Sequence, residues 1–379
     1  MSDNKNLKPG WKVWRFDQMA TNVNVRIDNP SESGMEHYVG LEHLDSDSLK
    51  IRRWGTPDDV EATKLMFKKG DIIFGRRRAY QRKLGVAEFD GICSAHAMVL
   101  RAKPEVVLPE FLPFFMQSDL FMNRAVEISV GSLSPTINWK TMAVQEFALP
   151  PLDEQQRLVA ILREMDAVAE AQQAALNTSA LLLAATVTDV MKPRDGFVKR
   201  TLGDVADYIN GYAFKPGEWS EDGIPIIRIQ NLNGSSEFNY YSGDTSNRWF
   251  VEDGDLLFAW SGNRGTSFGP FVWTRGRGLL NQHIFRVIPK PGIERAFLFV
   301  ALLGLTKEVE KKAHGSAGLV HITKSALTKL PIWIPSVDTQ RQIAEQFDIV
   351  RVTREAIQDR LCATAGLKKA VISTSFEGG

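Results

Sequence analysis

Five basic side chains fall within eight residues of this chain: Arg76, Arg77, Arg78, Arg82 and Lys83, in the stretch GRRRAYQRKLG, with Tyr80 among them and no acid. Guanidinium groups clustered with an aromatic suit two tasks, contacts to phosphate oxygens and bidentate donation to the O6/N7 edge of guanine. A solvated basic face has the same composition, so the setting of the loop must decide. A second loop, AWSGNRGTSFG, carries Trp260, Ser261, Asn263 and Arg264 in the corresponding place. There Asn263 offers the donor and acceptor that match adenine, and Arg264 can take guanine or phosphate. His96 and His283 follow the two loops at matching positions. Each is read as a structural histidine or as a base or phosphate contact, because neither has the partnered acid or nucleophile of acid–base catalysis.

No catalytic constellation accompanies these residues. The glycine runs SGNRG and RGRGLL do not complete a dinucleotide fingerprint in a strand-to-helix setting, and neither a Walker A loop nor a G-x-S-x-G elbow occurs. His-x-x-x-His spacing is missing, and EVEKK at 308–312 reads as a solvated helix face. Cys93 and Cys362 lie outside any Cys-x-x-Cys pattern, which points to two thiols rather than a disulfide or a zinc site. Catalytic residues, metal ligands and cofactors of the chain's own are therefore not expected.

The elements that position the loops are written twice. LPPLDEQQRLVAIL at 149–162 returns as IPSVDTQRQIAEQF at 334–347, with Pro150 and Pro335, Asp153 and Asp338, and Gln155 and Gln340 all 185 residues apart. FKKGDIIF at 67–74 returns as VEDGDLLF at 251–258, an offset of 184 that Gly85 and Gly269 keep. GICSAHAMVLRAKP returns as GLLNQHIFRVIPKP, and Gly131-Ser132 as Gly315-Ser316. Similarity at a fixed period near half of a 379-residue chain marks a tandem duplication, with small changes in offset supplied by loop insertions. The frame repeats while the polar contents of the loop change, as two copies of one scaffold reading two targets would require.

Each half divides into a turn-rich part and a helical part. HYVGLEHL at 37–44 and PIIRIQNL at 225–232 read as strands, as do GDIIF and GDLLF. FLPFFMQSDLFMNRA and AFLFVALLGLTKEVE read as helices. After Pro150-Pro151 a long helix is expected, with Asp153 as N-cap, Gln156 as its capping-box partner and a stop at Met191-Lys192-Pro193. Its apolar stripe includes Leu158 and Leu162. The second, capped by Asp338, carries Ile343 and Phe347 and is expected to weaken at Gly366. Helices of about 38 residues span roughly 57 Å, more than a domain core needs, so the pair is expected to form an antiparallel coiled coil about a pseudo-twofold axis. The alternative is that each helix packs on its own domain. The fold class is α+β: two tandem mixed domains, 1–150 and 194–335, each followed by a long helix, 151–193 and 336–379.

A formal charge of +1, with 24% charged and 44% hydrophobic residues, fits a globular protein and does not by itself announce a nucleic-acid partner. The polar start MSDNKNLKPG lacks the apolar core of a signal peptide, and the most apolar run, AFLFVALLGL, is half the length of a membrane span, so a cytoplasmic location is expected.

Taken together, GDIIFGRRRAYQRKLG, GDLLFAWSGNRGTSFG, GSLSPTI at 131–137 and LPPLDEQQRLVAIL with its repeat resemble the specificity subunits of type I restriction-modification systems, the HsdS family. The resemblance covers essentially the whole chain. It departs at GSAGLVHI, which lacks the proline of GSLSPTI, and at Thr339 where the first copy has Glu154. It implies a non-catalytic reader of double-stranded DNA, with two target-recognition domains each reading half of a split target and helices that set the spacer. It also implies two modification subunits that methylate adenine N6 with S-adenosylmethionine, and restriction subunits that use ATP and magnesium. Ser132 and Ser316 join the arginine-loop residues as candidate DNA contacts. Asp153, Glu154, Gln155, Arg157, Asp338, Gln340 and Arg341 are the positions for helix packing and modification-subunit docking. A specificity chain serving a fused methyltransferase-nuclease would differ only in its partner.

Overall fold

The computed structural model describes residues 7–263, 267–314 and 320–376. They form two compact units, Met1–Gln173 with Asp359–Gly379, and Ala174–Gln358. Contacts therefore divide both long helices between the units, whereas the sequence boundaries separate each helix from its neighbouring domain.

The first unit holds two four-stranded sheets. One orders Ala20–Val23, Met98–Ala102, Ile72–Phe74 and Leu84–Val86, all antiparallel. The other orders Arg26–Ile27, Lys64–Phe67, Gly91–Ser94 and Tyr38–Val39, with its final pair parallel. The second unit repeats the first sheet with Ala206–Asn210, Ile284–Pro289, Leu256–Ala259 and Gly269–Val272. Its other sheet again has a single parallel contact, Ile224–Ile227 with Gly278–Leu280. In each unit a two-stranded ribbon, Lys12–Arg15 with Glu146–Leu149 or Val198–Thr201 with Pro331–Ile334, closes the domain before the long helix begins.

The repeated Gly-Asp explains how the central strand of each copy starts. Gly70 and Gly254 sit at φ +90° and +86°, where a β-carbon is strained. The aspartate behind each glycine clamps the turn: Asp71 Oδ2 accepts from Lys68 N at 2.8 Å and Asp255 Oδ2 from Glu252 N at 2.9 Å. The strands that follow, Ile72–Phe74 and Leu256–Ala259, are buried throughout.

Several local expectations are corrected. Only Tyr38–Val39 of HYVGLEHL is strand, and Leu41–His43 turns as a 3-10 helix; PIIRIQNL likewise changes from strand Ile224–Ile227 to a helical turn, Ile229–Leu232. The stretch FLPFFMQSDLFMNRA is two helices, Phe111–Gln117 and Asp119–Glu127, because Ser118 adopts extended backbone and caps the second through Phe121 N. Its counterpart is one helix, Arg295–Lys312. Gly304 in that helix allows close packing, since a β-carbon there would lie 2.9 Å from the Val187 carbonyl oxygen.

The long helices are Leu152–Val190 and Val337–Phe376. Asp153 and Asp338 stand inside the first turn rather than at the cap, where their charge still favours the helix N-terminus. The cap of the second is Ser336, whose Oγ accepts from Thr339 N at 3.3 Å. Gly366 is passed without a break, ten residues before the helix ends.

Within the first unit the two helix segments run antiparallel. Asp166 receives Lys368 Nζ at 2.6 Å, while Val159 and Leu162, nearer the start of one helix, share a core with Ile372 and Phe376, near the end of the other. In the second unit Val190 and Phe347 share one core, with Leu183, Val187 and Ile343 packed against it. The helix pairing and the helix-on-domain packing coexist: Phe376 is 2% exposed and its ring lies 5.4 Å from Phe115 and 5.5 Å from Phe111. Among the described residues no helix is long and apolar enough to cross a membrane, and no cluster of His, Cys, Asp and Glu could hold a metal ion.

Candidate nucleic-acid interface

Two of the repeated motifs meet at the arginine loop. Leaving the strand Ile72–Phe74, the chain is held on one side by the GSLSPTI segment: Ile137 N donates to Arg76 O at 3.0 Å and Arg78 N to Pro135 O at 2.7 Å. Val130 and Thr136 exchange two backbone bonds across the base of that segment. The second unit repeats the brace: Ile322 N donates to Trp260 O at 3.1 Å, and His314 and His321 exchange two bonds of 2.9 Å. This is why Ile137 and Ile322 recur with the loops they support. A non-glycine residue with positive φ is costly, and the first loop contains two, Arg78 at φ +58° and Arg82 at φ +53°. They bracket a 3-10 turn, Ala79–Gln81, and give the five basic side chains different directions.

Arg77, Arg78 and His96 line one open concavity of about 290 Å3, together with Leu41, Glu42, Gln81 and Ser94. Arg77 Nη1 lies 3.3 Å from His96 Nε2, and Arg78 Nη2 donates to Ser134 Oγ at 3.2 Å. Burial and then the charges of Arg77, Arg76 and Lys64 hold the His96 imidazole below its ordinary pKa, so near neutral pH it can accept from a guanidinium. Tyr80 is 54% exposed beside them, and Ser132 is exposed at the tip of the brace.

The remaining basic residues are engaged inside the unit. Arg82 donates to Asp47 Oδ1 at 2.5 Å, to Asp119 Oδ1 at 3.0 Å and to the Gln117 carbonyl. Lys83 Nζ donates to Leu41 O at 2.7 Å, and Arg76 Nη2 to Ala95 O at 3.0 Å. The partners of Arg82 and Lys83 stand more than thirty residues away in sequence, so composition of the run could not reveal their inward direction.

In the second unit Trp260 stacks on Phe285 at 5.5 Å and donates through Nε1 to Asn210 Oδ1 at 3.3 Å. Its ring centroid is 5.7 Å from that of His283, which reaches the surface but is partly desolvated by its neighbours and, with the charges of Arg228 and His321, held below its ordinary pKa. Asn263 is exposed, with its backbone N–H donating to Ser267 Oγ at 3.1 Å. Ser261 is 6% exposed and pairs through its backbone with His321, so its hydroxyl is withdrawn from the surface. Arg264 and Ser316 lie outside the described residues. Glu42, which lines the concavity, and Arg228, whose charge acts on His283, were not among the sequence candidates, although both lie in the matched stretches HYVGLEHL and PIIRIQNL.

The motif at the start of the long helices has a structural account. Gln155 and Gln340 are each 1% exposed. Gln155 Nε2 donates to Val106 O and Pro150 O at 3.2 and 3.0 Å, and its Oε1 accepts from Leu108 N at 2.9 Å. Gln340 makes the same three bonds to Gly292 O, Pro335 O and Glu294 N at 3.1, 3.0 and 2.8 Å. Each glutamine clamps its helix to the mixed domain before it. Leu158, Leu162, Ile343 and Phe347 pack into or against the cores, and Arg341 pairs with Glu294 at 2.8 Å. Asp153 and Arg157 are exposed and Glu154 is half-buried.

The family model of the type I restriction modification DNA specificity domain matches residues 32–178 and again 194–361. The type I restriction enzyme EcoBI specificity subunit of Escherichia coli is 25% identical over 188 residues, which are 49% of this chain and 39% of that protein. The chain thus spans about two fifths of that relative's length. A chain from a structure of complex assembly and conformational transition in the type I R-M system aligns with TM-score 0.64 and 23% identity over 98% of both chains. The HsdS subunit from Thermoanaerobacter tengcongensis aligns with TM-score 0.53 and 23% identity over the whole of both chains. At these identities the two structures speak to the fold. With both copies of the repeat matched by the same model, the chain belongs to the type I restriction modification DNA specificity family.

Proposed function

We propose that the chain is the non-catalytic DNA sequence-specificity subunit of a type I restriction-modification complex. Each recognition domain reads one half of a bipartite, asymmetric target, and the long helices set the unread spacer and dock two modification subunits. Those partners methylate adenine N6 in each half-site with S-adenosylmethionine after flipping the base out of the duplex. Restriction subunits, using ATP and magnesium, complete the assembly. The observation that carries the reading is the braced loop: one scaffold holds Arg77, Arg78 and His96 in one copy and Trp260, Asn263 and His283 at the corresponding place in the other. A duplicated frame with different polar contents suits a reader of two unlike half-sites.

The test is genome-wide adenine methylation in a host without other methyltransferases, expressing this chain with its modification subunit. A single split motif with N6-methyladenine in both halves, lost when the chain is omitted, is expected. Exchange of residues 75–85 for another recognition loop should then change one half of the motif only. A complex that forms yet neither methylates a defined motif nor enriches one from random DNA would overturn the proposal.

A further inference from the structure

The concavity beside the arginine loop contains one acid, Glu42. Its side chain is 66% exposed, with Oε1 4.0 Å from His43 Nε2. Among the described residues no ion pair joins it to Arg77 or Arg78. The turn that carries it is closed by one bond and tied to the arginine loop by another: Gly40 N donates to His43 Nδ1 at 3.1 Å, and Leu41 O accepts from Lys83 Nζ at 2.7 Å. The carboxylate folds over Gly40, where a β-carbon would fall 1.9 Å from Glu42 Oε1. The second unit builds the same turn, with Arg228 N donating to Asn231 Oδ1 at 3.0 Å, and places the exposed Gln230 at the position of Glu42.

A carboxylate that pairs with neither Arg77 nor Arg78 weakens DNA binding through repulsion. In the major groove it has one specific use, to accept a hydrogen bond from a base amino group. Cytosine N4 offers that donor beside a C–H edge, whereas adenine N6 stands beside the N7 acceptor, which repels a carboxylate and suits a glutamine amide instead. We propose that Glu42 is a specificity-determining residue that accepts from cytosine N4 in the half-site read by the first unit. An arginine of the Glu42 cleft takes a neighbouring guanine edge. The inference rests on the DNA-reading function proposed above.

The experiment compares Glu42→Ala and Glu42→Gln with the unaltered chain in the assembled methyltransferase complex. Methylated motifs and binding to cognate and single-base-changed duplexes are both read. With Glu42→Ala, discrimination for cytosine at one position of one half-site should fall about tenfold, while affinity for unrelated DNA rises. Glu42→Gln, nearly the same shape, should move that position toward adenine. An unchanged motif with a uniform gain in affinity for every duplex would make Glu42 a solvated acid and overturn the inference while leaving the specificity function standing. If the unaltered chain yields no split motif, the function itself fails and this inference falls with it.

Discussion

The five basic residues of the first loop separate into two kinds once their partners are known. Arg77 and Arg78 face an open concavity, while Arg82 holds Asp47, Asp119 and the Gln117 carbonyl together. Arg78→Ala is expected to leave the melting temperature unchanged and to weaken DNA binding in the assembled complex. Loss of a phosphate contact would lower the slope of log K against log salt by about 0.9, and loss of a base contact would relax one target position. Arg82→Ala should instead leave the Gln117 carbonyl without its donor, while the exposed Asp47 and Asp119 rehydrate, and destabilise the first unit by about 1–2 kcal/mol, measurable by denaturant unfolding. Equal effects of both variants on binding, with no change in stability, would contradict this division. His96 supplies a pH test. Its folded pKa lies below the ordinary 6.5, so between the two values the unfolded chain binds more protons, and stability falls as the pH drops through about 6.5. The ring should titrate by NMR with a midpoint below 6.5; a midpoint at or above it would count against burial and the neighbouring arginines as its controlling environment. The chemistry of this site was legible in GRRRAYQRKLG as a set of residue types, but not its direction. Glu42 lies in a stretch that the repeat marks, but an isolated acid gives no sign of its neighbours until the fold sets it beside Arg77 and Arg78.

At the scale of elements, the duplicated sequence was a reliable guide wherever a repeated residue serves the backbone. Gly70 and Gly254 accept a left-handed turn, Asp71 and Asp255 clamp it, and Gln155 and Gln340 fasten the long helices. Polar residues buried with three hydrogen bonds recur because their partners are main-chain atoms, which are present whatever the neighbouring side chains are. Gln340→Ala should leave Glu294 N and two carbonyls unsatisfied and cost about 2–4 kcal/mol, and Gln155→Ala should cost as much in the first unit. Hydrogen exchange would report each as faster opening of the unit that contains the mutated clamp; exchange unchanged in that unit would refute the role. Helix ends were less legible. The aspartates of the motif look like caps, yet Ser336 takes that role at the second helix, one residue before Val337, because the chain leaves the closing ribbon directly into helical backbone. Gly366 does not end the helix, and Val371, Ile372 and Phe376 beyond it pack into or against the core of the first unit.

For the whole molecule, the repeat period and the apolar stripes of the helices were enough to anticipate two α+β domains and an antiparallel helix pairing. They did not reveal that each compact unit takes part of both helices, because a stripe records that a face is buried and not which partner buries it. If the helices set the spacer, insertion of seven residues into each, after Gln173 and after Gln358, should lengthen the unread interval of the methylated motif while both half-sites keep their bases. A changed half-site with a constant interval would refute that role. The division of the units also governs which of them can be completed first. Everything the second unit needs, Ala174–Gln358, emerges as one uninterrupted stretch, whereas the first begins earlier and still lacks Ile372 and Phe376, whose side chains fill its core. The domain made first must therefore wait, its core open, for the last residues of the chain, and a chain truncated after Gln358 and released from the ribosome should hold a protease-resistant second unit beside a first that is still cleavable.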